Sequence, residues 1–215
     1  MTVSVRVVPA LLTDSPSELR AMVASANAFA DYVQIDVMDG RFVPPRSIGA
    51  ADLAGLEMDF LWEAHLMVSR PCDHILSFVD AGATRVVIHA ESDTELTCAI
   101  ALARRLNVEV GLALNPATPV RKVAPLLTLV DSVLLLTVEP GYYGSRFLPD
   151  VLPKIPELRA LRGDMAIGVD GGIKSENIRE VARCGVDDVC VGSAIFRDPA
   201  PAEAYRRLQQ LVAAY

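Results

Sequence analysis

The chain has few of the features that mark nucleic-acid-binding or membrane proteins. Its net charge is −7 and its pI is near 5.0, so it has no excess of basic residues to displace the counterions of nucleic-acid phosphates. Its longest apolar runs have the length of strands and fall short of the roughly 18 residues that a membrane helix needs. We therefore expect neither nucleic acid nor a membrane among its partners.

Signals for export and for redox chemistry are also missing. The N-terminal pattern lacks a charged region followed by a long apolar stretch, so we expect no secretory leader. The four cysteines, Cys72, Cys98, Cys184 and Cys190, form no CxxC pair. This spacing favours reduced structural cysteines over a metal-binding or redox motif. Together these features predict a cytoplasmic protein.

Lysine is scarce, because the chain contains only Lys122, Lys154 and Lys174. Schiff-base chemistry needs a lysine at the end of a strand. Lys122 and Lys154 fall in predicted helices, and Lys174 lies beyond the turn after Asp170. Aldolase-type chemistry is therefore disfavoured. A dinucleotide-binding fold is disfavoured too, since no Gly-x-Gly-x-x-Gly motif follows the first apolar run.

What the chain does contain is a regular alternation of apolar β-type runs and helix-type segments. Of its 215 residues 52% are hydrophobic, and its mean hydropathy is +0.33, which is typical of a sheet buried on all sides. The predicted strands span 3–8, 32–37, 61–67, 85–89, 108–114, 132–138, 165–169 and 188–192, and the predicted helices span 16–28, 50–56, 71–81, 94–106, 120–127, 150–161, 175–184 and 200–213. Eight βα units predict an α/β protein in which residues 1–215 form a single (β/α)8 TIM barrel rather than an open sheet.

Two aspartates stand where apolar runs end and glycine follows. Asp36 belongs to the second predicted strand and Asp170 follows the seventh. The carboxyl ends of the strands in such a barrel meet at one mouth, so the two side chains should face each other there. Paired acids suit removal of a proton on one side of a small substrate and its return on the other. Asp36 and Asp170 are thus the predicted catalytic residues, whereas Asp39 is equally well explained as the cap of a turn.

Other polar residues share these strand ends. Gln34 lies two residues before Asp36, so both side chains point to the same side of their strand. His65 closes the third predicted strand, and we expect it to act at the same mouth. His89 ends the fourth strand, where a supporting or structural role is expected, and His74 falls on a predicted helix at the surface.

Glycine-bearing loops follow the last three predicted strands. Glycine lets backbone N–H groups approach an anion closely, and a helix N-terminus adds a favourable field. Many barrels bind phosphate with the loops after strands seven and eight. We therefore predict a site for the phosphate of a substrate, formed by Gly141, Tyr142, Tyr143, Gly144, Gly171, Gly172, Gly192 and Ser193.

Taken together, these motifs resemble the ribulose-phosphate 3-epimerase family across essentially the whole chain. The matching segments are Asp-Val-Met-Asp-Gly-Arg-Phe-Val-Pro at 36–44, His-Leu-Met-Val at 65–68, Asn-Pro-Ala-Thr-Pro at 115–119, Val-Glu-Pro-Gly at 138–141, Val-Asp-Gly-Gly at 169–172 with Asn177 and Ile178, and Gly-Ser-Ala-Ile-Phe at 192–196. The resemblance implies a barrel that inverts carbon 3 of a phosphorylated ketose, with Asp36 and Asp170 as the acid/base pair. It also implies a substrate-contacting His65 and a divalent metal held by two histidines and these two aspartates.

Four features depart from the family pattern, and all lie at the mouth. Gln34 replaces the first metal histidine, Ala10 a substrate-contacting serine and Leu136 a methionine, while Tyr142 and Tyr143 alter a glycine-rich loop. An amide oxygen is a poor ligand for zinc or iron, although harder ions accept it. Asp36, His65 and Asp170 would remain as ligands. A divalent metal (zinc, iron, manganese or magnesium) is therefore expected to be weakly held or absent.

Two other functions stay open beside a sugar-phosphate epimerase. A related lyase is disfavoured, because the decarboxylases and hexulose-phosphate synthases of such barrels place a lysine between two aspartates, where Val37 and Met38 lie here. A non-catalytic phosphate-binding barrel is favoured by Ala10 and Gln34, but the presence of both aspartates opposes it. The resemblance and the high apolar content also predict a homo-oligomer.

Overall fold

The computed structural model describes residues 5–141 and 145–213, and its centre is a closed barrel of eight parallel strands. The strands are β1 (Arg6–Leu11), β2 (Tyr32–Met38), β3 (Leu61–Met67), β4 (Arg85–His89), β5 (Glu109–Leu114), β6 (Ser132–Leu136), β7 (Ala166–Asp170) and β8 (Asp188–Val191). Each strand pairs with its neighbour in chain order, and β8 closes the barrel on β1. The predicted (β/α)8 barrel is confirmed.

Helices and short 3₁₀ turns connect the strands. The α-helices of the described residues are α1 (Pro16–Ala26), α2 (Ile75–Asp80), α3 (Leu96–Arg105), α4 (Lys154–Leu161), α5 (Ile178–Arg183), α6 (Ser193–Phe196) and α7 (Pro201–Ala213), and the 3₁₀ turns are Ala50–Leu53, Pro71–Asp73, Val120–Lys122, Ala124–Leu126 and Pro149–Val151. None of the helices in this part of the chain combines the length and apolar character that crossing a membrane requires.

Three of the predicted helices are wrong in extent. The helix predicted over 120–127 is two 3₁₀ turns, because Pro125 has no N–H to continue a helical ladder. The one over 50–56 is a single 3₁₀ turn, after which Gly55 turns away at φ 74°. The helix expected to open at Ser175 begins at Ile178 instead, since the side chain of Asn177 accepts the N–H of Lys174 at 2.8 Å.

Alternation along the strands builds two apolar layers. In β2, Val33, Ile35 and Val37 belong to the large core between the barrel and its helices. The barrel interior is a separate cluster made of Val8, Ala10, Tyr32, Val87, Ala113, Leu134, Leu136 and Cys190. Gln34 and Asp36 share the inward face of β2 with Tyr32. The strand therefore delivers its two polar side chains into the barrel.

Ion pairs occupy the base of the barrel, where the strands begin. Arg6 binds Asp188 through two hydrogen bonds of 2.9 Å, which join the first strand to the last. The hydroxyl of Tyr32 donates to Glu63 at 2.9 Å, and Arg85 donates to the same carboxylate at 3.1 Å. The buried charges of the base are therefore paired, and the apolar interior separates them from the acidic mouth.

Candidate active site

The mouth of the barrel is a cavity with an acidic floor. Asp36, Asp170, Cys190 and the glycine loops line it, and it encloses about 560 Å³ including its open entrance. A volume of this order accommodates a small metabolite. Both predicted catalytic carboxylates therefore face one cavity.

One amide group joins the two carboxylates. The Nε2 atom of Gln34 donates to Oδ1 of Asp36 at 2.9 Å and to Oδ2 of Asp170 at 3.0 Å, although the two strands are far apart in sequence. Gln34 itself is 0% exposed. Its side chain therefore fixes the spacing of the acids from inside the barrel.

His65 adds a second link between the carboxylates. It is the register partner of Asp36 in the neighbouring strand, and its Nδ1 atom lies 2.8 Å from Oδ1 of Asp36 and 3.6 Å from Oδ2 of Asp170. Burial alone would lower the pKa of His65, but the hydrogen bond and charge of Asp36 and the charges of Asp170 and Glu63 raise it. The imidazole thus carries positive charge beside the two acids.

The outer nitrogen of His65 is tied to a second buried pair. Its Nε2 lies 2.9 Å from Nε2 of His89, whose Nδ1 lies 3.2 Å from Glu91. Burial alone would raise the pKa of Glu91, but hydrogen bonds from His89, Thr118 and Asn115 lower it. Burial, together with the charge of His65, lowers the pKa of His89 to about 4. A neutral His89 that donates to Glu91 must accept the Nε2–H of His65.

Asp170 differs from an ordinary surface acid in its proton affinity. Burial and the nearby charge of Asp36 raise its pKa to about 7. A carboxyl group with this pKa exchanges a proton readily near neutral pH, which is the property that a general acid or base requires. The site thus holds an acid poised for proton transfer.

Cys190 lies on the opposite side of Gln34. Its thiol donates to Oε1 of Gln34 at 3.2 Å, and it is the register partner of Asp170. Burial, and the negative charges of Asp170 and Glu63, raise the pKa of this thiol well above its usual value. Neither Cys190 nor Glu91 is among the residues predicted from the sequence, although both follow the two-residue spacing that places them on the same side as Asp188 and His89.

The loops at the rim hold the positions predicted to bind phosphate. Gly171 and Gly172 have left-handed φ angles of 111° and 68°, which favour glycine. A Cβ atom on Gly172 would lie 2.8 Å from the backbone of Phe147. The cavity is lined by Gly141, Gly171, Gly172, Gly192 and Ser193, whereas Tyr142, Tyr143 and Gly144 lie outside the described residues.

Asp39 and the lysines serve the framework of the mouth. Asp39 accepts the N–H groups of Arg41 and Phe42, both at 2.8 Å, as a turn cap does. Its other oxygen accepts the N–H of Ser69 at 2.8 Å, which ties two loops together. The ammonium group of Lys154 donates to three backbone carbonyls at 2.7–3.1 Å. Among the described residues that line the cavity there is no lysine.

Three side chains of the mouth could together hold a metal ion. Asp36, His65 and Asp170 each offer a ligand atom, and these atoms lie within 4.8 Å of one another. Their carboxylate and imidazole donors fit a small divalent cation. Gln34 does not complete the set in this arrangement, because it turns its NH2 group, a donor, towards the two carboxylates.

Comparisons with known proteins agree with this geometry. The chain matches the ribulose-phosphate 3-epimerase family over residues 6–196. The ribulose-phosphate 3-epimerase of Synechocystis sp. is 35% identical over 95% of this chain and 93% of its own length, and that of Bacillus subtilis is 37% identical over 78% and 80%.

Solved structures with the same architecture are more distant in sequence. KGPDC from Streptococcus mutans, in complex with D-ribose 5-phosphate, superposes with a TM-score of 0.77 at 15% identity, over 97% of each chain. The 3-hexulose-6-phosphate synthase of Salmonella typhimurium gives a TM-score of 0.73 at 21% identity, over 96% of this chain and 98% of its own. At this level of identity the two structures support the barrel fold.

Proposed function

The chain belongs to the ribulose-phosphate 3-epimerase family, and we propose that it inverts carbon 3 of a ketose phosphate with Asp36 and Asp170 as its two proton-transfer groups. The observation that carries the proposal is the pair of carboxylates held on one amide nitrogen, at 2.9 and 3.0 Å, in the floor of the cavity. Inversion needs such a pair, because the proton must leave one face of carbon 3 and return to the other.

The chemistry follows from the position of the carbonyl group. A proton on carbon 3 of a 2-ketose lies next to the carbonyl at carbon 2, so its removal gives an enediolate whose charge must be stabilised. Asp36 takes the proton from one face in one direction of the reaction, and Asp170 supplies a proton on the other. A pKa of about 7 for Asp170 supports this role, since the group is partly protonated at neutral pH. In the reverse direction the two carboxylates exchange roles.

His65 is proposed to serve the enediolate by its charge. Its imidazole lies 2.8 Å from Asp36 and 3.6 Å from Asp170, so it balances part of the negative charge that gathers there. The link to His89 and Glu91 holds the ring in one orientation. Positive charge aimed in advance at the developing oxyanion is the usual source of large rate enhancements.

A divalent metal is proposed to bind at the same centre, with Asp36, His65 and Asp170 as its ligands. When bound, such an ion supplies Lewis-acid stabilisation of the substrate oxygens. The inward NH2 group of Gln34 and the preference of zinc and iron for imidazole over an amide oxygen favour weak binding. Manganese and magnesium are better suited to the remaining oxygen ligands than zinc or iron.

The phosphate of the substrate is proposed to bind at the rim, through Gly141, Gly144, Gly171, Gly172, Gly192 and Ser193, with Tyr142 and Tyr143 shaping the entrance. Loops after the last strands of a barrel are a common phosphate site. A ribulose or xylulose 5-phosphate is the substrate class that the names of the relatives favour. The phosphate keeps the reacting carbon in register with the carboxylates, so remote binding energy becomes orientation.

We further propose that residues 1–215 act as one domain in a cytoplasmic homo-oligomer without nucleic-acid or membrane partners. The absence of paired cysteines supports a reducing compartment. The hydrophobic fraction of 52% supports subunit association. Light scattering of the purified protein would test the oligomer, because a mass of one 23.1 kDa chain contradicts it.

The decisive experiment is an exchange assay in deuterated water. The protein is incubated with a panel of ketose phosphates, and NMR follows deuterium at carbon 3 together with the appearance of the epimer. We expect exchange and inversion with a pentulose 5-phosphate and neither with the unphosphorylated sugar. Equal reaction of the unphosphorylated sugar would contradict the phosphate site, and exchange with none of the panel would contradict the epimerase assignment.

A further inference from the structure

The amide of Gln34 is used completely by its surroundings. Both hydrogens of its nitrogen are engaged, one by Asp36 at 2.9 Å and one by Asp170 at 3.0 Å. An ionised carboxylate accepts hydrogen bonds and donates none, so the nitrogen end of the amide must face the two acids. Two carboxylates that would otherwise repel each other thus share one donor group.

The carbonyl end of the same amide is held by a thiol. The S–H group of Cys190 donates to Oε1 of Gln34 at 3.2 Å, inside the barrel where both residues are fully buried. Reversal of the amide would place Oε1 against two carboxylates and its NH2 group against the thiol hydrogen. Cys190 therefore opposes the one rotation that would convert Gln34 from a donor to the acids into an oxygen ligand for a cation.

We propose, building on the epimerase function above, that Gln34 is a positioning residue whose amide holds the two proton-transfer carboxylates together, and that Cys190 sets its orientation. Hydrogen bonds from one amide then perform the bridging that a cation between two carboxylates would otherwise perform. The centre is consequently able to turn over without a tightly bound cation. Cys190 and Gln34 together set how strongly a divalent cation competes for the acids.

The first test varies the thiol. Cys190→Ala removes the donor and frees the amide to present its oxygen, whereas Cys190→Ser keeps a donor at the same place. Cys184→Ala is the matched control, because the thiol of Cys184 donates to the carbonyl of Glu180 at 3.3 Å outside the cavity. Two quantities are measured: the affinity for Mn²⁺ by calorimetry, and the epimerisation rate with and without a chelator.

The expected changes have opposite signs. Cys190→Ala should bind Mn²⁺ about tenfold more tightly and lose about tenfold in chelator-resistant turnover, the scale of effects from residues behind a metal ligand. Cys190→Ser and Cys184→Ala should match the parent in both quantities. A purely structural thiol would not tighten Mn²⁺ binding when removed. Unchanged or weaker Mn²⁺ binding by folded Cys190→Ala would overturn the proposed role of the thiol.

The second test varies the amide itself. Gln34→Glu has nearly the same shape, but it removes both donors and adds a third carboxylate, so its turnover should become strictly dependent on added Mn²⁺ and its Mn²⁺ affinity should rise at least about a hundredfold. Thermal unfolding checks that the variant is folded. Parent turnover that a chelator abolishes to the same degree as in Gln34→Glu would overturn the inference and leave the epimerase function intact.

The two proposals fail in different ways. A parent protein that epimerises no ketose phosphate refutes the epimerase function. The calorimetric comparison of the parent, Cys190→Ala and Gln34→Glu needs no turnover, so equal Mn²⁺ affinities for these three proteins refute the role of the amide even in that case.

Discussion

Replacement of either carboxylate by asparagine should separate proton removal from inversion. Asparagine has nearly the shape of aspartate but accepts no proton from carbon at neutral pH. Asp36→Asn and Asp170→Asn each leave one working base, which faces one side of the substrate. Each variant should therefore still remove the proton from one epimer, while neither returns a proton to the opposite face.

The size of the effect follows from the hydrogen bonds around each group. General acid–base catalysis contributes about 10²- to 10⁴-fold, or roughly 3–5 kcal/mol of activation free energy. Asp36 accepts from Gln34 at 2.9 Å and lies 2.8 Å from His65, so Asp36→Asn forces an NH2 group against another donor and should fall at the larger end. Asp170→Asn disturbs one bond of 3.0 Å and should lose at least about 10²-fold in kcat with little change in KM.

The assay uses each pure epimer separately in deuterated water. Inversion is followed optically, and deuterium at carbon 3 is followed by NMR. We expect Asp36→Asn to exchange one epimer and Asp170→Asn to exchange the other. The control is Asp93→Asn, an exposed aspartate in the loop after β4, which should behave as the parent does.

Two results would refute this reasoning. Inversion at a near-parent rate in either variant means that the missing carboxylate is not a required base. Exchange of the same epimer by both variants means that the two carboxylates do not act on opposite faces. In the second case a single group would serve both faces, and the amide bridge would have no bearing on stereochemistry.

Three further outcomes are expected. Gly172→Val places a side chain against the backbone of Phe147, at 2.8 Å for Cβ alone, so KM for the phosphorylated sugar should rise about tenfold or more; Gly185→Ala, also at a left-handed glycine (φ 85°) but with open space around it, should leave KM unchanged, and an unaltered KM in Gly172→Val would argue against phosphate at that loop. The parent as purified should contain less than one equivalent of zinc or iron, and Gln34→His, which adds an imidazole, should contain more; elemental analysis decides this, and stoichiometric zinc that survives a chelator in the parent would contradict it. Because the pKa of Asp170 is raised to about 7 in the folded protein and returns to about 4 on unfolding, the folded state binds the extra proton between these values, so stability falls as pH rises from about 4 to about 7; urea unfolding of Asp170→Asn should show a weaker fall over that range, and identical pH profiles for the variant and the parent would mean that the carboxyl is not perturbed.

Strands are easier to predict from the sequence than helices. Parallel strands in a barrel are buried on both faces, so β3 and β4 appear as continuous apolar runs whose predicted limits agree with the structure. Helix limits depend on local competition that composition does not reveal. The segment 120–127 has helical spacing, yet Pro125 divides it into two turns. The predicted helix over 175–184 includes Asn177, but the side chain of this residue bonds the backbone before the helix begins.

The convergence of Asp36, His65 and Asp170 could be predicted because strand order and strand ends determine which residues reach the mouth. The partners of these residues could not be, since they depend on register between strands. Cys190 meets Gln34 because both lie on inward faces across the barrel axis, 156 positions apart in the chain. Glu91 acts through His89, and a loop glutamate carries no sequence signal for that contact.

The ion pair between Arg6 and Asp188 at the base joins residues 182 positions apart, and its consequence concerns folding. Closing a loop of that length costs only about 1–2 kcal/mol more than closing one βα unit of roughly 30 residues. Until β8 docks, however, the other strands form an open sheet in which β1 and β7 present unpaired backbone edges. A lesion in the first strand or in the last therefore releases the same intermediate, with two sticky edges, and the two ends of the chain share one vulnerability to aggregation.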